Sequence, residues 1–222
     1  MRADTRDTVD DLLNVAEQLF ARHGVEQVAL TRIVGSSRQK NRSALHYHFG
    51  SREGVLKAVL DRRLKHINAL RLAVLDHPSK SDDLERAVRA LVEPLCLVAL
   101  NESWGADYVS ILGQVGFHPT LLGESVLDDA NLASIRRCKK LVTDALPEIR
   151  PATLNRRFRW LSDSVVLGVA RWVRYGSKSG RMRAPMESLI EEFIAYGVAG
   201  LAAPTAEAAR PRLAVSARRA AR

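Results

Sequence analysis

The 222-residue chain is 46% hydrophobic and 27% charged, a balance that excludes a disordered polypeptide. No apolar run approaches the roughly 18 residues of a membrane span, and the opening MRADTRDTVDD lacks the apolar stretch of a secretory signal, so a cytoplasmic protein with no membrane partner is expected. The net charge of +9 is localised: Thr31 to Arg52 holds five cations and no acids, and Ala203 to Arg222 holds five arginines against Glu207, so these two windows make up the whole excess.

The first expected helix runs from Val9 to His23. Thr8 stands at an N-cap position with Asp11 three residues on, Val9, Leu12, Leu13, Ala16, Leu19 and Phe20 share a face, and Gly24 is the stop. A short helix from Leu30 to Ser37 buries Leu30, Ile33 and Val34. Another from Asn41 to Phe49 buries Ala44, Leu45 and Phe49, with Asn41 as N-cap and Gly50 beyond its end. Two short helices joined by a tight turn and propped against a longer one form a helix-turn-helix.

From Ser51 a long helix carries Leu56, Val59, Leu60, Leu64, Ile67, Leu70 and Val74 to the break DHPSKS. DDLERAVRALVEPLCLVAL follows as a helix with a kink at Pro94, and WGADYVSILGQVGFHP as a shorter one closed by Gly116 and Pro119. A further helix reaches Leu146, and the last two span residues 152 to 175 and 185 to 201 around the linker GSKSGRMRA. No alternating pattern marks a strand, so the fold class is all-α. The domains expected are a head over 1–50, a helical body over 51–202 and a basic, disordered tail over 203–222. Cys96 and Cys138 each sit in an apolar helical pattern and are expected as buried, reduced thiols.

Leu154, Phe158, Leu161, Val165, Gly168 and Trp172 step by fours and threes, as an a/d seam does. Such a seam is either internal core or a helical dimer interface. Trp160, Val166, Val169 and Val173 add apolar surface on other faces of the same helix, which favours the interface. The expected homodimer contact is therefore Phe158, Leu161, Val165, Gly168 and Trp172 with Ile190, Phe193 and Gly197 of the last helix.

Catalysis finds no support. His46 and His48 are two apart, which points them some 200° from each other on a helix. The chain lacks His-Glu-x-x-His, Cys-x-x-Cys, a glycine-rich phosphate loop and Gly-x-Ser-x-Gly, and its paired carboxylates sit at helix starts or on polar faces. Neither enzyme activity, cofactor nor metal is expected.

A charge run is ordinarily a solvated face, but here the acid-free window coincides with the helix-turn-helix. The second helix of that motif enters the major groove of double-stranded DNA with its N-terminal residues at base edges, while nearby cations and hydroxyls hold phosphates. The candidate contacts are Thr31, Arg38, Gln39, Lys40, Asn41, Arg42, Ser43, His46, Tyr47 and Arg52, with Lys40, Arg42 and Ser43 at the tip.

AEQLFARHGVEQVALTRIVGSS, a turn, and SALHYHFGSREGVLKAVL together resemble the DNA-binding domain of the tetracycline-repressor (TetR) family over residues 9 to 60. The resemblance implies a ligand-responsive transcriptional regulator, usually a repressor, whose variable helical body binds a small effector and dimerises through its last two helices. Two positions depart from the family: Arg38 stands where Gly is common in the turn, and Ala29 where Ser or Thr caps the second helix. A left-handed Arg38 costs about 1 kcal/mol, and the missing cap about as much.

The expected repressor binds a palindromic operator as a dimer, the alternative being a sequence-indifferent nucleoid or nucleic-acid-binding protein that uses the same cations. For the effector, Trp104, Tyr108, Ile111, Leu112 and Phe117 fall in a glycine-interrupted segment, which is either plain core or the lining of an apolar pocket. With Asp107 the single charge there, a hydrophobic effector with one or two polar groups is expected.

Overall fold

The computed structural model describes residues 2–38, 42–77, 82–116, 132–175 and 185–205, of which 2–6 and 42–44 are described in their backbone only. Among the described residues the chain forms nine α-helices and no strand. They are α1 (Arg2–His23), α2 (Leu30–Ser36), α3 (Arg42–Phe49), α4 (Arg52–Asp76), α5 (Asp83–Asn101), α6 (Gly105–Val115), α7 (Ala133–Ala145), α8 (Pro151–Tyr175) and α9 (Met186–Ala202). None of these helices is long and apolar enough to cross a membrane.

The punctuation read from the sequence works as backbone chemistry. Gly24 and Gly50 adopt φ of 92° and 68°, the left-handed region that a side chain makes costly, and so close α1 and α3. Ser51 caps α4 by accepting from the Gly54 N–H at 3.1 Å, and Asp82 caps α5 by accepting from the Glu85 N–H at 2.7 Å. Pro94 lies buried inside α5 without ending it. One expectation fails: α1 begins six residues before Thr8, so Thr8 lies inside the helix and does not start it. A capping residue marks a permitted start, and a polar stretch of adequate helix propensity continues through it.

In the body α5 is central. It packs against α4, α6, α7, α8 and α9, and from Leu84 to Val98 nearly every turn is buried. Around it Ile67, Tyr108, Ile111, Cys138, Val142, Leu161 and Ile194 join one continuous core. Both cysteines are buried and free.

The α5–α6 corner is tight. The Glu102 N–H closes α5 on the Val98 carbonyl at 3.1 Å, and the Gly105 N–H donates to the Glu102 carbonyl at 2.9 Å. A Cβ on Gly105 would run into the same Val98 carbonyl, which is backbone and cannot swing aside. Gly105→Ala is therefore expected to destabilise the fold by roughly 1–3 kcal/mol, as overpacking does. Thermal unfolding checks this: an unchanged Tm means that the corner opens without cost.

Candidate nucleic-acid interface

Ile33 and Val34 of α2 and Leu45 of α3 are buried and hold the two short helices against α1 and α4. Ala29 makes no side-chain cap at the start of α2, as its methyl requires. Its other end is closed by Ser37, whose N–H reaches the Ile33 and Val34 carbonyls at 3.1 and 3.2 Å while its hydroxyl donates to the Val34 carbonyl at 2.9 Å. The Arg38 N–H then donates to the Asp11 carboxylate at 2.8 Å, which ties the start of the turn back to α1.

Thr31 and Arg38 are exposed on this corner. Arg42 and Ser43 open α3, and their side chains lie outside the described set. Gln39, Lys40 and Asn41 lie outside the described residues. Tyr47 is 86% exposed one turn further along α3. His46 is exposed, but its Nδ1–H donates to the Gly50 carbonyl at 3.2 Å, so the ring closes the end of α3. Arg52 is half-buried, and its Nε–H donates to the Val28 carbonyl at 3.1 Å, a strut between the start of α4 and the loop before α2. Arg32, absent from the expected contacts, meets the His23 ring at 2.9 Å.

The head is joined to the body at two points on α1. Glu17, 2% exposed, accepts from Arg62 Nη2 at 2.9 Å and from Arg63 Nη2 at 2.6 Å, both on α4. At the end of α1, Gln114 of α6 accepts from the Val25 N–H at 3.1 Å and donates from Nε2 to the Phe20 carbonyl at 3.2 Å. Neither joint was visible in the sequence, where Glu17 is a polar break in an apolar face and its partners are 45 and 46 residues away.

The expected pocket residues separate. Tyr108 and Ile111 are fully buried core, Leu112 is half-buried, and Phe117 lies outside the described residues. Trp104 lines a polar pocket of about 310 Å³ at the junction of α1, α4 and α6, together with Glu17, Arg63 and Asp107. A larger open groove of about 420 Å³ lies between α4 and α5, with Leu70, Val74, Pro94 and Leu97 beside Arg86 and Arg89.

The expected dimer seam points inward. Phe158, Leu161, Val165, Ile190 and Gly197 are buried in the chain's own core, Gly168 faces the Phe193 ring of α9, and Trp172 and Phe193 are half-buried. Outward, α8 and α9 instead present Trp160 and Tyr196, 58% and 59% exposed, around a groove of about 250 Å³. Among the described residues no group of three or more His, Cys, Asp or Glu is placed to hold a metal.

Burial raises the Asp107 carboxyl above its ordinary range; the Glu17 charge adds to this and Arg22 opposes it. The folded state therefore binds the proton more tightly than the unfolded chain, and stability is lost as pH rises from the ordinary aspartate range through the folded value. Asp107→Asn is expected to raise Tm at pH 7, with the gain shrinking as pH falls to about 4, near the aspartate reference value. A gain that stays constant across this range in thermal unfolding would mean that the carboxylate charge is not the cause.

The family described as Tetracyclin repressor-like, C-terminal domain, matches residues 89–200. No curated protein matches the chain. Among solved structures, FadR from Bacillus subtilis in complex with stearoyl-CoA is 11% identical, with 86% of this chain and 97% of that one covered at a TM-score of 0.63. The fatty acid degradation regulator FadR from Bacillus halodurans is 15% identical over 86% and 98% of the chains, with a TM-score of 0.62. AibR in complex with isovaleryl coenzyme A and operator DNA is 17% identical over 85% and 97%, with a TM-score of 0.57. Likeness at these identities establishes the shared fold.

Proposed function

The chain belongs to the tetracycline repressor-like family of transcriptional regulators, and we propose that it represses by binding a palindromic operator as a homodimer and is released by a small hydrophobic effector. The observation that carries this reading is the double joint on α1. Its buried carboxylate is held by α4 and its C-terminus by α6, so a rearrangement of the body is transmitted to the helix that supports α2 and α3. The structurally similar FadR and AibR, seen with acyl-CoA molecules and AibR also with operator DNA, support an effector in the body and DNA at the head.

On this reading the start of α3 meets base edges, and Lys40 and Tyr47 meet phosphates. Selection of bound duplexes from a random pool is expected to enrich a palindrome, and Lys40→Ala and Arg42→Ala to weaken binding. At least one change among Arg42, Ser43 and His46 is expected to alter the preferred base, each lost base contact costing about 1–3 kcal/mol. A pool with no enriched palindrome would instead favour sequence-indifferent binding by the same cations.

Two recognition helices must meet major-groove faces about 34–36 Å apart or a multiple of that, which requires a two-fold dimer. The outward aromatic face of α8 and α9 is the proposed contact. Trp160→Glu combined with Tyr196→Glu is expected to give helical monomers that no longer hold the operator, whereas Leu161→Asp, a core change, is expected to unfold the body. Sedimentation showing an intact dimer in the double variant would place the contact elsewhere.

A further inference from the structure

Arg71 is 5% exposed in the middle of the body. Its Nε–H donates to the Ala90 carbonyl of α5 at 3.2 Å, and Nη1 donates to Asn68 Oδ1 at 2.8 Å and to Ser134 Oγ of α7 at 3.0 Å. The Ser134 hydroxyl is itself turned to Asn68 Oδ1 at 2.7 Å. Among the described residues no carboxylate pairs with the guanidinium. The potentially anionic groups whose charge reaches it are the Cys138 thiol and the Tyr108 phenol.

Neither group balances the charge. Burial pushes the Cys138 thiol up to about 11 and the Tyr108 phenol higher still, although Arg71 pulls both down, so both are neutral at physiological pH. A guanidinium stays ionised, and a buried charge without a counter-ion is costly. The half-buried Arg62 and Arg63, by contrast, share the carboxylate of Glu17.

We propose that Arg71 is the anchor for a carboxylate on the effector, so that the ligand is an otherwise apolar acid whose anionic end enters between α4, α6 and α7. The proposal rests on the reading of the body as an effector domain and adds the chemical class of the ligand. The guanidinium supplies a charge-assisted pair to a carboxylate. A carboxylate fits better than a phosphate dianion, since one cation balances one charge. The acid also supplies a counter-ion that no described residue provides, so binding is expected to stabilise the fold.

The test uses the full chain and paired probes: straight-chain carboxylates from butyrate to laurate, benzoate and phenylacetate, each beside its primary amide and its coenzyme A thioester. Calorimetry is expected to show at least one acid binding about tenfold or more tightly than its amide, a difference of about 1.4 kcal/mol. Arg71→Met should remove that preference and Arg71→Lys should keep part of it. Amides that bind as well as their acids, or a panel in which no acid binds, overturn the proposal with the wild-type chain alone, whether or not the variants fold. A variant with lowered Tm and unchanged acid affinity overturns it too, since Arg71 would then only tie helices together. Release of operator DNA by a neutral probe or a thioester, undiminished in Arg71→Met, overturns the anchor and leaves the regulator reading standing; failure to enrich an operator is a separate result that bears on that reading.

Discussion

Glu17 is tolerable at 2% exposure because two guanidiniums of α4 surround it, Arg62 through Nη2 and Arg63 through both Nε and Nη2. Taking one carboxylate and two cations out of water costs several kcal/mol per ion, and the geometry offsets that cost only while every partner is in place. The joint therefore behaves as a fixed point. α1 cannot slide along α4 without breaking several short hydrogen bonds at once, and the α2–α3 corner, attached to α1 through Asp11 and through buried Ile33, Val34 and Leu45, moves with it. Gln114 repeats the constraint at the end of α1, where one side-chain amide accepts from the Val25 N–H and donates to the Phe20 carbonyl, which also accepts from the Gly24 N–H.

The fixed point also faces inward. The Arg63 guanidinium lies 4.4 Å from the centre of the Trp104 ring, Trp104 meets Tyr108 edge to face at 5.9 Å, and the charge of Arg71 reaches the Tyr108 phenol. Arg63, Trp104 and Tyr108 thus form a chain of contacts from the carboxylate that holds α1 to the interior of the body, where the charge of Arg71 is felt. Contiguity alone does not make a route: a ligand shifts the head only by the difference between its affinities for the two arrangements of the body. On the proposed reading, an anion at Arg71 shifts the head only to the extent that the two arrangements of the body hold it differently.

Much of this was legible in the sequence because it is local. The 3.6-residue period, Gly24 and Gly50 after their helices, Ser51 before α4, and the acid-free stretch around α2 and α3 each express their chemistry within a few residues. What stayed hidden is long-range. Glu17 and Arg71 each read as a polar interruption of an apolar stripe, and a single interruption does not say whether the residue turns outward or recruits a partner 45 residues away. Burial of Tyr108 and Ile111 was hidden for a related reason, since an aromatic-rich glycine-broken helix packs as core or lines a cavity with the same composition.

The seam of α8 shows the same degeneracy in its sharpest form. Heptad spacing states that one face is buried and is silent about what buries it, because an obligate interface and a core are the same chemistry. The extra apolar residues suggested that the chain lacked elements enough to cover two faces. In the fold α5 and α9 both lie against α8, so Leu154, Phe158, Leu161 and Val165 are covered internally and Gly168 admits the Phe193 ring. Trp160, outside the heptad positions, escapes this cover, with Tyr196 across the groove on α9. Two aromatic side chains more than half exposed on adjacent helices form a surface with a large apolar area and few rotamers to immobilise, the combination that association through a small contact requires. The heptad seam of α8 thus belongs to the interior, and its exposed Trp160 is the aromatic residue outside that period.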